Sequence, residues 1–482
     1  MKTLAALAIF ATSTAACSVR HDAAPAPTPR APAPAASSPG ATLRPRPGVD
    51  LAGPVAAPDP SAPARHAAVA TLDLGKDRPP VAIDIPAPPR GGATSFTFAD
   101  SRRGWVARIP EANQLPAVAY GGGRVYVSGG FESVSMYALD AHDGHVMWAS
   151  QQLEDNGPTA PLYDDGRVVF NTESCTLFVM DGKTGKKLWF KTLGDPTLSQ
   201  PAVADGLVFA SHPCDSGQCL SAYRLDNGRD VWTRNIGAEL LAAPIVHDDS
   251  IYATNLNGRV YRFARRSGKL VWSRALGATT APWIDGDRLY VARRARHAEQ
   301  QIVVSTADGT LVGEQASVAA AYLADVPGDM NDWKKVWAFE GSRPVVLDGV
   351  KYEAMGGFVQ AADPLTGDAM WKRRWAAGAD KRTLGTVALA GAQVVVSTRD
   401  GALFGLDVDT GYTLWAYDLG KKIVAEPIVA EGWVYASTTD GTVVALNVAD
   451  ASLDGWHMWG GNPHHNGPVV ASASAAPAAQ SP

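Results

Sequence analysis

Cysteine is scarce, with four in 482 residues, which excludes a disulfide-built scaffold. No apolar run approaches the ~18 residues a membrane-spanning helix needs, and no long stretch keeps a 3.6-residue apolar period, so helices are not the main element. Neither sign of charge dominates: the net charge is −5, which gives no general electrostatic case for nucleic acid. Gly-x-Ser-x-Gly, His-Glu-x-x-His and the phosphate-binding glycine loop do not occur, so hydrolase, metalloprotease and nucleotide chemistries lack their usual residues.

Glycine is plentiful, 47 in all, and it recurs in one pattern: a polar turn, a glycine, three residues and a tryptophan. The copies are Gly144 with Trp148, Gly185 with Trp189, Gly228 with Trp232, Gly268 with Trp272, Gly367 with Trp371 and Gly411 with Trp415. A further copy, Gly309, has Gly313 where the tryptophan would stand. Intervals of 40 to 44 residues between most tryptophans predict a propeller or an array. Upstream of each glycine run short β-branched and aromatic segments such as Val125-Tyr126-Val127 and Val168-Val169-Phe170, separated by Gly and Asp turns. Each unit therefore predicts four short antiparallel strands, A to D.

Eight A–B pairs are followed by only seven D strands. Gly104-Trp105 and the residues after it match the D-strand form, so the first strand is expected to complete the last blade and close the ring. The fold class is thus all-β, an eight-bladed propeller of four-stranded blades closed by an N-terminal strand, spanning 95–468. Asp140, Asp181, Asp363 and Asp407, each four residues before the glycine, are expected to accept backbone N–H bonds in the C–D turn. The tryptophans are expected to fill the wedge between diverging blades, which makes them structural.

The ends differ in composition. Residues 18–94 are dominated by Ala and Pro and read as a disordered linker, with a reach of roughly 50 Å as a coil and about 230 Å as extended polyproline. Residues 469–482 read as a disordered tail. Lys2, the apolar run Leu4 to Ala11 and the small residues up to Ala16 have the form of a secretory signal over 1–17. Ala15-Ala16-Cys17 resembles the bacterial lipobox, although Thr14 departs from its usual leucine. The resemblance implies an exported chain lipidated at Cys17, and Ser18 suits the outer membrane. Cys214 and Cys219 flank a four-residue hairpin and are expected to form a disulfide in an oxidising compartment. Cys175 is then an unpaired, buried apolar residue.

The repeat resembles the pyrroloquinoline-quinone-type propeller repeat, whose mark is an Asp, then Thr/Asp-Gly-x3-Trp. The match covers roughly residues 100 to 450. Trp456-His-Met-Trp459-Gly-Gly-Asn-Pro-His-His465-Asn-Gly is similar to a stretch that usually precedes the propeller in that family and here follows it. One branch, the quinoprotein dehydrogenases, holds the quinone and calcium in the central funnel. Its adjacent-cysteine ring and its Cys-x-x-Cys-His cytochrome motif do not occur here. The other branch, the BamB-like assembly lipoproteins, is eight-bladed and has no cofactor; signal, Cys17 and blade count match it. That resemblance implies a non-catalytic, lipid-anchored, monomeric propeller that binds envelope proteins, as in outer-membrane protein assembly, with no catalytic, cofactor or metal residues. A quinone-dependent oxidoreductase and a ligand- or polysaccharide-binding propeller are the alternatives.

Three other features stand out. The insertion 314–343, carrying Trp333 and Trp337, follows the copy that lacks its tryptophan; it is either a partner-binding loop or a clamp over a weakened blade. The basic runs Arg293 to His297, Lys372 to Arg374 and Lys381-Arg382 read as solvated loops rather than a lipid or polysaccharide surface. His464-His465 point apart in an extended segment and do not make a metal site.

Overall fold

The innermost hairpin of a blade turns on two residues with positive φ. Asp165-Gly166 has φ of 41° and 78°, and Asp205-Gly206, Asp348-Gly349 and Glu431-Gly432 repeat the pattern. Such primed turns match the right-handed twist of the flanking strands. The computed structural model describes residues 69–468 except 111–113, 131, 173–175, 195–198, 216, 241, 296–297, 317–342, 356, 376–383 and 424. The signal segment with Cys17, Cys175, most of the 314–343 insertion and the 469–482 tail lie outside the described residues.

The strands form eight antiparallel blades. In chain order they span 119–150, 162–192, 202–235, 245–275, 283–316, 345–374 and 388–418 for blades 1 to 7, and 428–447 for blade 8. Blade 8 is completed by the N-terminal strand β4 (Arg102–Arg108), antiparallel to Thr442–Asn447 with Ala445 opposite Trp105. The chain is an eight-bladed β-propeller closed as its sequence predicts. Middle strands are buried on both faces, as in Thr176–Asp181, while the outer strand Lys187–Thr192 alternates half-buried and exposed, because neighbouring blades diverge toward the rim.

The C–D turn explains the repeat residue by residue. Asp181 Oδ1 accepts both the N–H and the hydroxyl of Thr184, and Asp407 does the same for Thr410. A β-bulge follows at the same place in blades 1 to 7, for example between Val179 and Met180. It is missing between β4 and its partner in blade 8, where no turn joins the two strands. The glycine is required twice. Gly144 has φ 75°, and a Cβ there would lie 2.4 Å from the ring of Trp105 on the preceding blade. Gly185, Gly228, Gly268, Gly309 and Gly411 meet Trp148, Trp189, Trp232, Trp272 and Trp371 in the same way. Each indole also donates to a carbonyl of that neighbour, as Trp232 Nε1 does to Arg265 O at 2.8 Å and Trp371 Nε1 to Val408 O at 3.0 Å. Trp415 faces the blade that has no such turn and donates to Gln393 Oε1 instead.

Blade 5 keeps the joint without the tryptophan. Gln315, two residues beyond Gly313 on the same strand face, donates to Pro364 O at 2.7 Å and packs on Gly367. Its Oε1 accepts from Lys351 Nζ, which pairs with Glu353 at 3.0 Å. Lys351 and Glu353 are fully buried, so a polar network replaces the aromatic wedge.

The expected linker boundary at residue 94 lies too far along the chain. β1 (Thr71–Asp73) adds in parallel to the outer strand of blade 6, β2 (Val81–Ala82) to that of blade 7, and β3 (Ala93–Phe98) pairs with β4 outside blade 8. Leu74 is fully buried, Asp77 accepts from Thr413 N, and Phe98 meets Tyr417 edge-on. This strap needs no core of its own because the blade edges supply its hydrogen bonds, which is why its Ala/Pro composition misleads.

Candidate functional site

Innermost strands of a propeller leave an unpaired edge of N–H and C=O groups along the axis. Here the chain fills that edge itself. Residues 456–467 run through the centre, and the middle residue of one inner strand after another donates to them. Tyr120 N bonds His457 O, Val203 N bonds Pro463 O, Val246 N bonds His464 O and Val429 N bonds Trp456 O; Ile284 N bonds Asn466 Oδ1. Trp456, Met458 and His465 are at most 1 % exposed, and Trp456 stacks on Trp283 at 6.1 Å.

Two charged groups are enclosed with the segment. Arg343 lies between the rings of Trp283 and Trp459, 4.6 and 4.7 Å from their centres, and donates to His465 O. Burial lowers its pKa to about 9, so it stays cationic at neutral pH and the two indole faces stabilise it. Glu426 accepts from Gly460 N at 3.0 Å; burial raises it to about 7, against the pull of that N–H and of Arg343. His465 places Nδ1 2.7 Å from Trp459 O and Nε2 2.8 Å from Pro201 O. Burial nonetheless lowers it to about 4, so at neutral pH the ring donates through one nitrogen only. One nitrogen donates and the other only faces a carbonyl, so neither ring nitrogen opens to a metal ion. His464 lies exposed at the channel mouth.

That mouth forms a cavity of about 650 Å³ lined by Val246, His247, Asp248, Asp249, Arg265, His464 and Asn466. Arg265 is tied to Asp205. Beside it the Asp285 carboxyl is raised by burial and by Asp348, and Asp164 by burial and by Asp165. Asp140, Asp143 and His145 come within metal-ligand spacing on the exposed C–D turn of blade 1, where Asp140 Oδ1 already accepts the N–H groups of His142 and Asp143 as part of the repeat's turn.

The resemblance to quinoproteins raises a fit test for a quinone with calcium in the funnel. The described residues do not fit one. The axial space holds Trp456, Met458 and His465, and N–H groups of five of the eight inner strands are bonded to that segment.

The remaining sequence expectations fall as follows. Cys214 and Cys219 form a disulfide, with Cα atoms 5.9 Å apart, at the end of the long blade 3 hairpin. Lys372 to Arg374 do not form a solvated loop; they lie on the outer strand of blade 6. Arg373 is 4 % exposed and donates to Thr410 O and Gly411 O. Lys381-Arg382 lie outside the described residues. Arg343 and Glu426 went unsingled in the sequence, yet a signal exists. The residue before the inner-strand proline is uncharged in the other blades that carry one (Leu115, Ala160, Gln200, Ala243 and Ala281) and charged at these two.

Comparison with known proteins gives four findings. The family model described as outer membrane protein assembly factor BamB matches residues 90–313 and 356–480. The outer membrane protein assembly factor BamB of Yersinia pestis is 29% identical over 205 residues, 40% of this chain and 50% of that protein. A polyvinylalcohol dehydrogenase of Pseudomonas sp. is 24% identical over 423 residues, 76% of this chain and 64% of that protein. The chain thus spans about half the length of the Yersinia relative. The crystal structure of BamB from Moraxella catarrhalis shares the fold, with a TM-score of 0.54 at 16% identity over 73% of this chain and 100% of that one.

Proposed function

We propose, from the premise that this chain belongs to the family of outer membrane protein assembly factor BamB, that it is a non-catalytic scaffold of the cell envelope. It is held to the membrane through lipidated Cys17 and contributes to the assembly of outer-membrane proteins. The observation that carries the reading is the filled axis: the position that serves a funnel cofactor in the dehydrogenase branch is taken up by the chain's own 456–467 segment. What remains for function is surface, namely the rim, the turns and the loops.

The dehydrogenase relative supports a second reading, a quinone-dependent oxidoreductase, and one experiment separates the two. The purified chain is titrated with pyrroloquinoline quinone and calcium. The scaffold reading expects no stoichiometric quinone absorbance and no dye-linked alcohol oxidation; either would overturn it. In the host, depletion of the chain is expected to lower the level of outer-membrane β-barrel proteins, and unchanged levels would remove the assembly role. Cys17→Ser is expected to release the protein from membranes; retention would refute the anchor.

A further inference from the structure

The outer edges of the blades are not equal. On blades 6 and 7 the outer strand is covered by β1 and β2, which add in parallel. The register is the same on both blades. Thr71 to Asp73 pair with Lys372 to Arg374, and Val81 and Ala82 pair with Tyr417 and Asp418. These partners lie five to seven residues after the repeat glycines Gly367 and Gly411. Ile83 N then bonds Asp418 O at 2.9 Å. This molecule therefore shows what its blade edge accepts: a short extended segment with few apolar residues, such as Leu72 or Val81 and Ile83, and no core of its own.

Among the described residues, blades 1 to 5 carry no added strand. Counting from Gly185, the equivalent edge of blade 2 is Phe190 to Thr192. Blade 2 stands out there. Leu188 and Phe190 are 45% and 49% exposed on one side of the outer strand. The residues equivalent to Phe190 on the other open blades are Ala149, Thr233, Ser273 and Glu314. Phe190 is also fixed: it stacks on Phe178 at 5.8 Å, and Phe178 stacks on Phe170 at 5.3 Å in the core. Edge lysines normally guard a strand against pairing. Here both lysines are engaged: Lys187 pairs with Glu154 while its ammonium lies 5.1 Å from the centre of the Phe190 ring, and Lys191 pairs with Asp230 on blade 3, so neither extends past the edge, and an incoming segment meets the Leu188 side chain and the face of Phe190 that Lys187 leaves open.

We propose that the outer edge of blade 2 is a receptor for an extended, still unfolded polypeptide segment with apolar side chains at alternate positions. The segment adds as a fifth strand along Phe190 to Thr192. Main-chain hydrogen bonds hold it, and an apolar side chain rests on Leu188 and Phe190. The inference needs no particular client and stands apart from the assembly reading.

The test uses the full chain and a labelled, lysine-flanked peptide of about nine residues alternating Val and Thr. Saturable binding by anisotropy is expected, with slowed hydrogen exchange at the outward amides of Phe190 to Thr192. The same peptide with an N-methylated backbone is expected not to bind. Phe190→Glu is expected to weaken binding about tenfold or more, while Val271→Glu, on the rim of blade 4, leaves it unchanged; thermal melts of both variants report folding. Four results would overturn the proposal: no saturable binding, protection confined to another element, unchanged binding by a folded Phe190→Glu variant, or protection of these amides before peptide is added. The last would mean that another part of the chain, or a second copy, already occupies the edge. A Leu188→Glu variant gives an independent readout should Phe190→Glu fail to fold.

Discussion

Glu426, which faces the axial segment, and His465 within it shift stability with pH in opposite senses. Glu426 has its folded pKa raised to about 7, so its contribution to stability is fully present below its ordinary value and lost as pH rises through 7. His465 is a base with its folded pKa lowered to about 4, so its contribution is present above its ordinary value of about 6.5 and lost as pH falls toward 4. The two slopes oppose each other between about pH 4.5 and 6.5. Glu426→Gln removes one of them. The melting temperature of the variant relative to the native protein is expected to climb from pH 5 to pH 8; parallel curves would show that Glu426 does not titrate in the folded protein. Gln315 offers a second test. Gln315→Ala strips Pro364 O of its donor and Lys351 of an acceptor, and should cost on the order of 1–3 kcal/mol in urea unfolding. Gln315 was not legible in sequence because it stands two residues from the expected position; Glu426 is marked only as a charge before the inner-strand proline, and its role appears once eight blades surround it.

At the level of elements, the sequence announces those that repeat and hides those that borrow. The D strand is legible because a positive-φ glycine, an Asp-capped turn and a wedge tryptophan must occur together in each blade. The strap over blades 6 to 8 carries no such constraint. Its hydrogen bonds come from edges already built, so Ala- and Pro-rich sequence serves. The axial segment is similar: its tryptophans and histidines could be noticed, but their place on the axis follows from the ring, not from local pattern. Removing residues 69–92 while keeping β3 and β4 is expected to leave a closed propeller with a slightly lower melting temperature. Hydrogen exchange should then quicken in the outer strands of blades 6 and 7 and not around Trp456. Exchange that also quickened at the axis would show that the strap holds the ring as a whole.

For the whole molecule, the joint between first and last strands decides whether eight blades behave as a ring or as an open stack. A stack of repeats approximates a sum of neighbour terms; a ring adds one closure that must hold for the others to persist. Trp105 sits at that joint. It is fully buried, donates to Ala141 O of blade 1 at 3.0 Å and lies 6.1 Å from Tyr435 of blade 8. Trp189 makes the equivalent bond to Leu225 O at 2.8 Å but is half-buried between two blades that are also joined by chain. Trp105→Ala should therefore cost about 3–5 kcal/mol, the usual range for a buried tryptophan, and Trp189→Ala less. The two variants should differ in kind as well. Opening the joint exposes the edge of blade 8, so Trp105→Ala is expected to broaden the urea transition and lower its slope, as cooperativity across the ring is lost. Trp189→Ala should shift the midpoint and keep the slope. Equal losses with equal slopes would mean that the strap and the axial segment, which bind blades 6 to 8 and the inner strands, hold the ring closed without the tryptophan at its seam.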